Sequence, residues 1–214
     1  MVNWTEIFGV NPSADRPDRA LALGYAQTGQ EVLHALFALD VTLARITLGT
    51  REPLVAQMRL TWWHDALQAP QPPAHPILRA LREVDGTRAA AMTDGWQQLL
   101  DTPDDDALAA FASGRGELFA LAAAAIGATD AVEAAGRGWA LADLAGITAD
   151  RELAARARAT ATPLLEHAAG QRWSEAGRAL GGLVHLARRD LAAGAGEAGA
   201  RRVARLAWHR LTGR

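Results

Sequence analysis

Apolar residues recur at three- and four-residue spacing along nearly the whole chain, and no stretch shows sustained period-two alternation. That periodicity is the mark of helices that bury one face, and β-branched residues are sparse, so the pattern predicts an all-α protein. Asp18 can cap a first helix running to about Ala26, after an irregular segment over 1–15 that holds Gly9, Asn11, Pro12 and Ser13. Thr28 with Glu31 reads as a capping box opening a helix over 28–48, whose buried stripe is Leu33, Leu36, Phe37, Leu43 and Ile46. Gly49 ends it, and Pro53 suits the first turn of a helix over 53–68 whose stripe is Leu54, Met58, Trp62 and Ala66. Pro70, Pro72 and Pro73 forbid helix, and the next one begins near His75-Pro76. A helix from about Arg88 to Leu100 follows the turn at Asp85-Gly86. The next starts at Asp104-Asp105-Asp106, is disturbed at Gly114 and Gly116, and stops at Gly127. Further helices fall at about 130–146, 149–168, 174–192 and 197–212. No self-similarity at solenoid periods appears, so the helices read as one bundle and 1–214 as one domain.

Composition narrows the chemistry. The 214 residues carry a net charge of −2, which implies no general attraction to nucleic acid. There is no cysteine, which excludes disulfides, thiolate zinc sites and cysteine nucleophiles. Every basic side chain besides histidine is an arginine, so a Schiff-base or phosphate-loop lysine is excluded as well. The six histidines show no His-x-x-x-His spacing, and no G-x-S-x-G or phosphate-binding glycine loop is present; Gly114-Arg115-Gly116 is too short to count. No run of about 20 uninterrupted apolar residues exists. The start of the chain lacks a basic region followed by an apolar one, so a cytoplasmic protein is expected.

Five residues concentrate the unusual chemistry: Arg59, Trp62, Trp63, His64 and Asp65. Asp40 shares a stripe with Leu36 and Leu43, so it should be buried, and a buried carboxylate needs a partner. Arg59 on the next helix is the expected partner, with Arg45–Asp65 as the competing pair. The Trp62-Trp63 pair suits core packing better than a ligand pocket, since aromatics dominate core energetics. The last helix holds Arg201, Arg202 and Arg205 beside Trp208, with Val203, Leu206, Ala207 and Leu211 as an apolar stripe. That combination fits a bundle helix with a solvated basic face, or contact with an anionic membrane or an acidic partner.

The segments "ALFAL" and "MRLTWWHDAL", within residues 28–67, resemble the first conserved block of the squalene/phytoene synthase family. "HPILRAL" at 75–81 extends the likeness, and "DALAAFASGRGELFALAAAAIGA" and "LAWHRLTGR" continue it weakly. The resemblance implies an isoprenoid-synthase-like helical bundle, shortened in the middle. In that family two facing helices hold Mg²⁺ through Asp-x-x-x-Asp pairs, and the metal ions hold a diphosphate. Here the first pair of aspartate positions falls on Ala44 and Leu48. The upstream tyrosine and arginine positions fall on Phe37 and Val41. On the second helix Asp143 falls on an asparagine position and Ile147 on an aspartate position, and Asp143 and Asp150 could share a face.

The resemblance therefore implies a family member without the family's metal ligands. It is similar to the phytoene-synthase-like assembly factors that support respiratory complex I in mitochondria. The expectation is a non-catalytic protein that needs no cofactor and binds a protein partner, or an isoprenoid or other lipid in a relict pocket. Phe37, Asp40, Arg59, Trp62, Trp63 and Asp143 are the candidate pocket residues. Arg201, Arg202, Arg205 and Trp208 would form a peripheral membrane or partner surface. The competing expectation is a working prenyl transferase that condenses isoprenoid diphosphates with Mg²⁺.

Overall fold

The computed structural model describes residues 6–7, 17–193 and 199–214. Apart from residues 6 and 7, the segment expected to be irregular lies outside them, as does the expected start of the last helix at 197. The described residues hold ten helices and no strand, as the periodicity predicts. They are α1 (Pro17–Leu23), α2 (Gln30–Gly49), α3 (Pro53–Gln68), α4 (Pro76–Ala80) and α5 (Gly86–Gln97). Then follow α6 (Asp105–Ile126), α7 (Glu133–Ile147), α8 (Arg151–Gly170), α9 (Arg178–Ala193) and α10 (Gly199–Thr212).

Four helix starts are set by side-chain caps. The carboxylate of Asp85 accepts from the Arg88 amide, that of Asp104 from Ala107, and that of Asp150 from Glu152 and Leu153. Each satisfies amides that a helix start leaves without partners. His75 does the same for Ile77 through Nδ1. Thr28 departs from its expected role. Its hydroxyl donates to the Ile126 carbonyl at the end of α6, and Gly29 at φ 64° takes the cap position of α2. A Cβ on Gly29 would lie 2.1 Å from the Ala125 carbonyl oxygen, so the α2 start is pressed against the α6 end.

Helices α3, α5, α6, α7 and α8 pack in sequence, each on the next. Helix α2 lies against α1, α3, α4, α5 and α6, and α9 closes the other end on α1, α7, α8 and α10. One apolar core runs through all of them. Helices α2 and α6 are long and apolar enough to cross a membrane, but half or more of each apolar window is buried inside the fold. They serve as core helices.

The sequence expectation for α3 needs correction. α2 is central, with ten buried residues, but α3 is peripheral. Its buried residues are Ala56, Leu60, Trp63 and Ala66, while Leu54, Met58 and Trp62 of the expected stripe are 68%, 65% and 44% exposed. Two apolar stripes lie side by side on this helix, and only packing decides between them. The one with Leu54, Met58 and Trp62 faces solvent, and the one with Ala56, Leu60 and Trp63 seats on the fold, where α3 meets α5 and α2.

At the α9–α10 junction His185 and His209 are buried edge to face, with ring centroids 4.7 Å apart. Arg205 Nη2 sits 2.9 Å from His185 Nδ1. Burial first, and then Arg205, His209 and Arg188, push His185 down to about 3. Burial and the guanidiniums of Arg205 and Arg178 push His209 down to about 4, against a hydrogen bond to the Arg178 carbonyl that favours the proton. Both rings are neutral in the fold, whereas the unfolded chain binds protons near pH 6.5. Stability is thus complete above pH 6.5 and is lost as pH falls towards 4. We expect a loss of about 2 kcal/mol or more by pH 5. Thermal midpoints measured from pH 7.5 to 4.5 check this, and His185→Gln should flatten the slope.

Candidate functional site

The densest polar construction in the interior is a network of charge at the crossing of α1, α2, α5, α6 and α7. Arg115, in the middle of the apolar α6, is 1% exposed. Its Nε donates to Asp40 Oδ1 at 2.8 Å and its Nη2 to Asp40 Oδ2 at 2.7 Å, a two-pronged pairing that matches guanidinium to carboxylate. Nη2 also donates to Asp143 Oδ2 at 2.6 Å, and Nη1 to the Ala140 carbonyl at 3.1 Å. Arg19 Nη2 donates to the second oxygen of Asp143 at 2.7 Å. Trp96 Nε1 donates to Asp40 Oδ1 at 3.0 Å. Two carboxylates face two guanidiniums, so the formal charge of the group is zero. Burial works against the charged form of Arg115, but Asp40 and Asp143 more than offset it and raise its pKa.

Aromatic rings enclose the group. The Arg115 guanidinium carbon lies 4.6 Å from the ring centroids of both Trp96 and Trp139. Phe37 and Phe119 pack on Trp139 at 5.6 and 5.5 Å, and Phe111 on Trp96 at 5.1 Å. Glycines make this enclosure possible. A Cβ on Gly114 would lie 2.4 Å from the Ala91 carbonyl oxygen, and one on Gly136 would lie 2.5 Å from that of Gly116. Helices α5 and α7 therefore close to backbone contact on either side of Arg115, which brings Trp96 and Trp139 over its faces. The Gly114-Arg115-Gly116 triplet does not disturb α6; it lets both neighbours in.

Of the six candidate pocket residues, Phe37, Asp40 and Asp143 converge here, and the three on α3 do not. Asp40 pairs with Arg115, not with Arg59, because α3 turns the Arg59 side to solvent. Arg45 and Asp65 are both exposed and form no pair. Trp63 is buried against His75 at 4.9 Å, and Trp62 leans on its outer edge at 5.1 Å. Asp150 caps α8 and takes no part with Asp143. The sequence reading missed Arg19, Trp96, Arg115 and Trp139. A lone arginine amid a 22-residue apolar helix was the available signal, since arginine is almost never fully buried unless paired.

The arrangement offers little chemistry. Both oxygens of Asp40 and of Asp143 accept from arginine, and Arg115 is sealed from water. Of the positions expected to supply metal ligands, Ala44 is half-buried, and Leu48 and Ile147 are 45% and 41% exposed. Among the described residues no three His, Asp or Glu side chains come together so as to hold a metal ion. As paired here, Asp40 and Asp143 do not fit a Mg²⁺–diphosphate site.

Residues 14–113 match the squalene/phytoene synthase family, which supports membership of it for just under half of the chain. The match takes in α1 to α5 and the first part of α6, and it ends two residues before Arg115. No curated protein and no solved structure matches the chain significantly.

Proposed function

We infer that this is a squalene/phytoene synthase-like protein that has exchanged catalysis for binding. The observation that carries the reading is the closed network around Arg115. Asp40 and Asp143 are neutralised by Arg115 and Arg19 among packed aromatic rings. Diphosphate departure needs negative charge to be neutralised as it develops, which is usually the largest catalytic contribution. A carboxylate already locked onto two guanidiniums cannot hold the metal that would do this.

The binding partner is read as a protein. Support comes from α3, where Leu54, Met58 and Trp62 form an apolar row open to solvent. A contiguous exposed row with a tryptophan is the composition of an interface anchor. Lipid held where the pocket was expected is less favoured, since Phe37, Trp139 and Phe119 fill that position.

Incubation with farnesyl or geranylgeranyl diphosphate and Mg²⁺ is expected to give no condensed product. Loss of a single oxyanion donor typically costs a hundredfold or more in rate, and here most of the site is absent. Steady formation of a head-to-head product would overturn the reading and establish the prenyl transferase alternative.

A further inference from the structure

Helix α10 carries Arg201, Arg202, Arg205 and Arg210, with Arg214 just beyond it, and no acidic residue. Its inward side is Leu206 and His209, both fully buried against the rest of the fold. Two of the arginines are committed inward as well: Arg202 pairs with Asp190 and Arg205 rests on His185. The remainder faces outward. Val203, Trp208 and Leu211 are 50%, 57% and 77% exposed, and at 3.6 residues per turn they share one face with Ala204 and Ala207. Arg201 and Arg210 border that face on its two sides, and both are exposed, Arg210 with its guanidinium also over the Tyr25 ring at 5.0 Å.

We propose that this outward face of α10 is a docking surface for an anionic membrane, lying flat at the level of the lipid headgroups. Charge complementarity selects the occupant. A second copy of the chain would bring the same arginines against these, with no acid to meet them. The face is also the exposed side of a single helix. A bilayer interface accepts both features: tryptophan and leucine enter the headgroup boundary, and flanking arginines meet lipid phosphates. Arg188 of α9, exposed beside Arg205, adds to the same field. The proposal corrects the expected contact set, because Arg202 and Arg205 belong to the fold and Arg201, Arg210, Trp208 and Leu211 to the surface. It is independent of whether the protein catalyses a reaction.

The test uses the full chain and sucrose-loaded phosphatidylcholine vesicles with and without phosphatidylglycerol. Sedimentation with the anionic vesicles alone is expected at low salt, weakening at least tenfold in 0.5 M NaCl, where screening is short-ranged. Arg201, Arg210 and Arg214 changed together to Gln should lower partition roughly a hundredfold, at about fivefold for each charge. Trp208→Ser with Leu211→Ser should lower it at least tenfold, with no fall in thermal midpoint because both side chains are exposed. Brominated lipid should quench the wild-type protein more than Trp208→Phe. No sedimentation at low salt, equal partition of the Trp208/Leu211 variant, or equal quenching would overturn the proposal. A wild-type dimer that the same double substitution dissolves would assign the face to a second copy and overturn it too.

Discussion

Changing Arg115 to methionine is expected to cost about 3–5 kcal/mol, the loss seen when one partner of a buried ion pair is removed. The substitution nearly keeps the side-chain volume, so little of the loss comes from a cavity. It leaves Asp40 facing the Trp96 indole and Asp143 facing Arg19, with Asp40 1% exposed and unable to regain solvation. A protein of this size moves by roughly 2–4 °C per kcal/mol, so the thermal midpoint should fall by about 10 °C. Asp40→Ala should cost about 3 kcal/mol or more for the complementary reason, a stranded guanidinium. Arg115→Lys should not rescue, because an ammonium can neither fork onto Asp40 nor stack flat between Trp96 and Trp139. The decisive measurement is the double substitution Asp40→Asn with Arg115→Met. If the network is the cause, the two losses should be strongly non-additive, by more than about 1 kcal/mol. Single losses below roughly 1 kcal/mol would mean that the charges contribute nothing beyond packing.

The burial of Asp40 was legible and its partner was not, and the reason is distance along the chain. A stripe position announces burial locally, because helix geometry fixes which residues share a face. Arg115 is 75 residues from Asp40, and nothing in local spacing connects them. Arg59 was the expected cation on the next helix, but α3 carries two apolar stripes and seats the one that leaves Arg59 exposed. The same ambiguity affects α10, where Arg202 and Arg205 look like surface charges until α9 supplies Asp190 and His185 to hold them inward. A helix start was legible where a side chain caps its own helix, as at Asp104. Thr28 fails that rule because its hydroxyl meets a carbonyl 98 residues away. The loss of metal ligands at Ala44, Leu48 and Ile147 could be read only through the family resemblance, since no physical rule marks an alanine as a former aspartate.

Gly114→Ala is expected to destabilise the fold by about 3 kcal/mol, although helix propensity alone predicts the opposite sign. Glycine within a helix costs about 1 kcal/mol relative to alanine, so the substitution should help an isolated α6. In the fold, the added methyl would stand 2.4 Å from the Ala91 carbonyl oxygen and 2.9 Å from the Gly95 backbone. Neither atom belongs to a flexible side chain, so α5 must move away. Overpacking of that kind typically costs 1–3 kcal/mol, and the interior transmits such a shift because it is close-packed. The displacement carries Trp96 with it, which loosens both its stacking on Arg115 and its hydrogen bond to Asp40, so the cost should reach the upper end of that range. Gly49 is the control: it ends α2 with no atom within 4 Å of an added methyl. Gly49→Ala should therefore be neutral or stabilising by up to about 1 kcal/mol. Urea unfolding of the two variants compares them directly. Opposite signs would show that close helix approach around Arg115 is what requires glycine at 114. Equal behaviour would show that α5 and α6 can part freely and that the ion network does not depend on their contact.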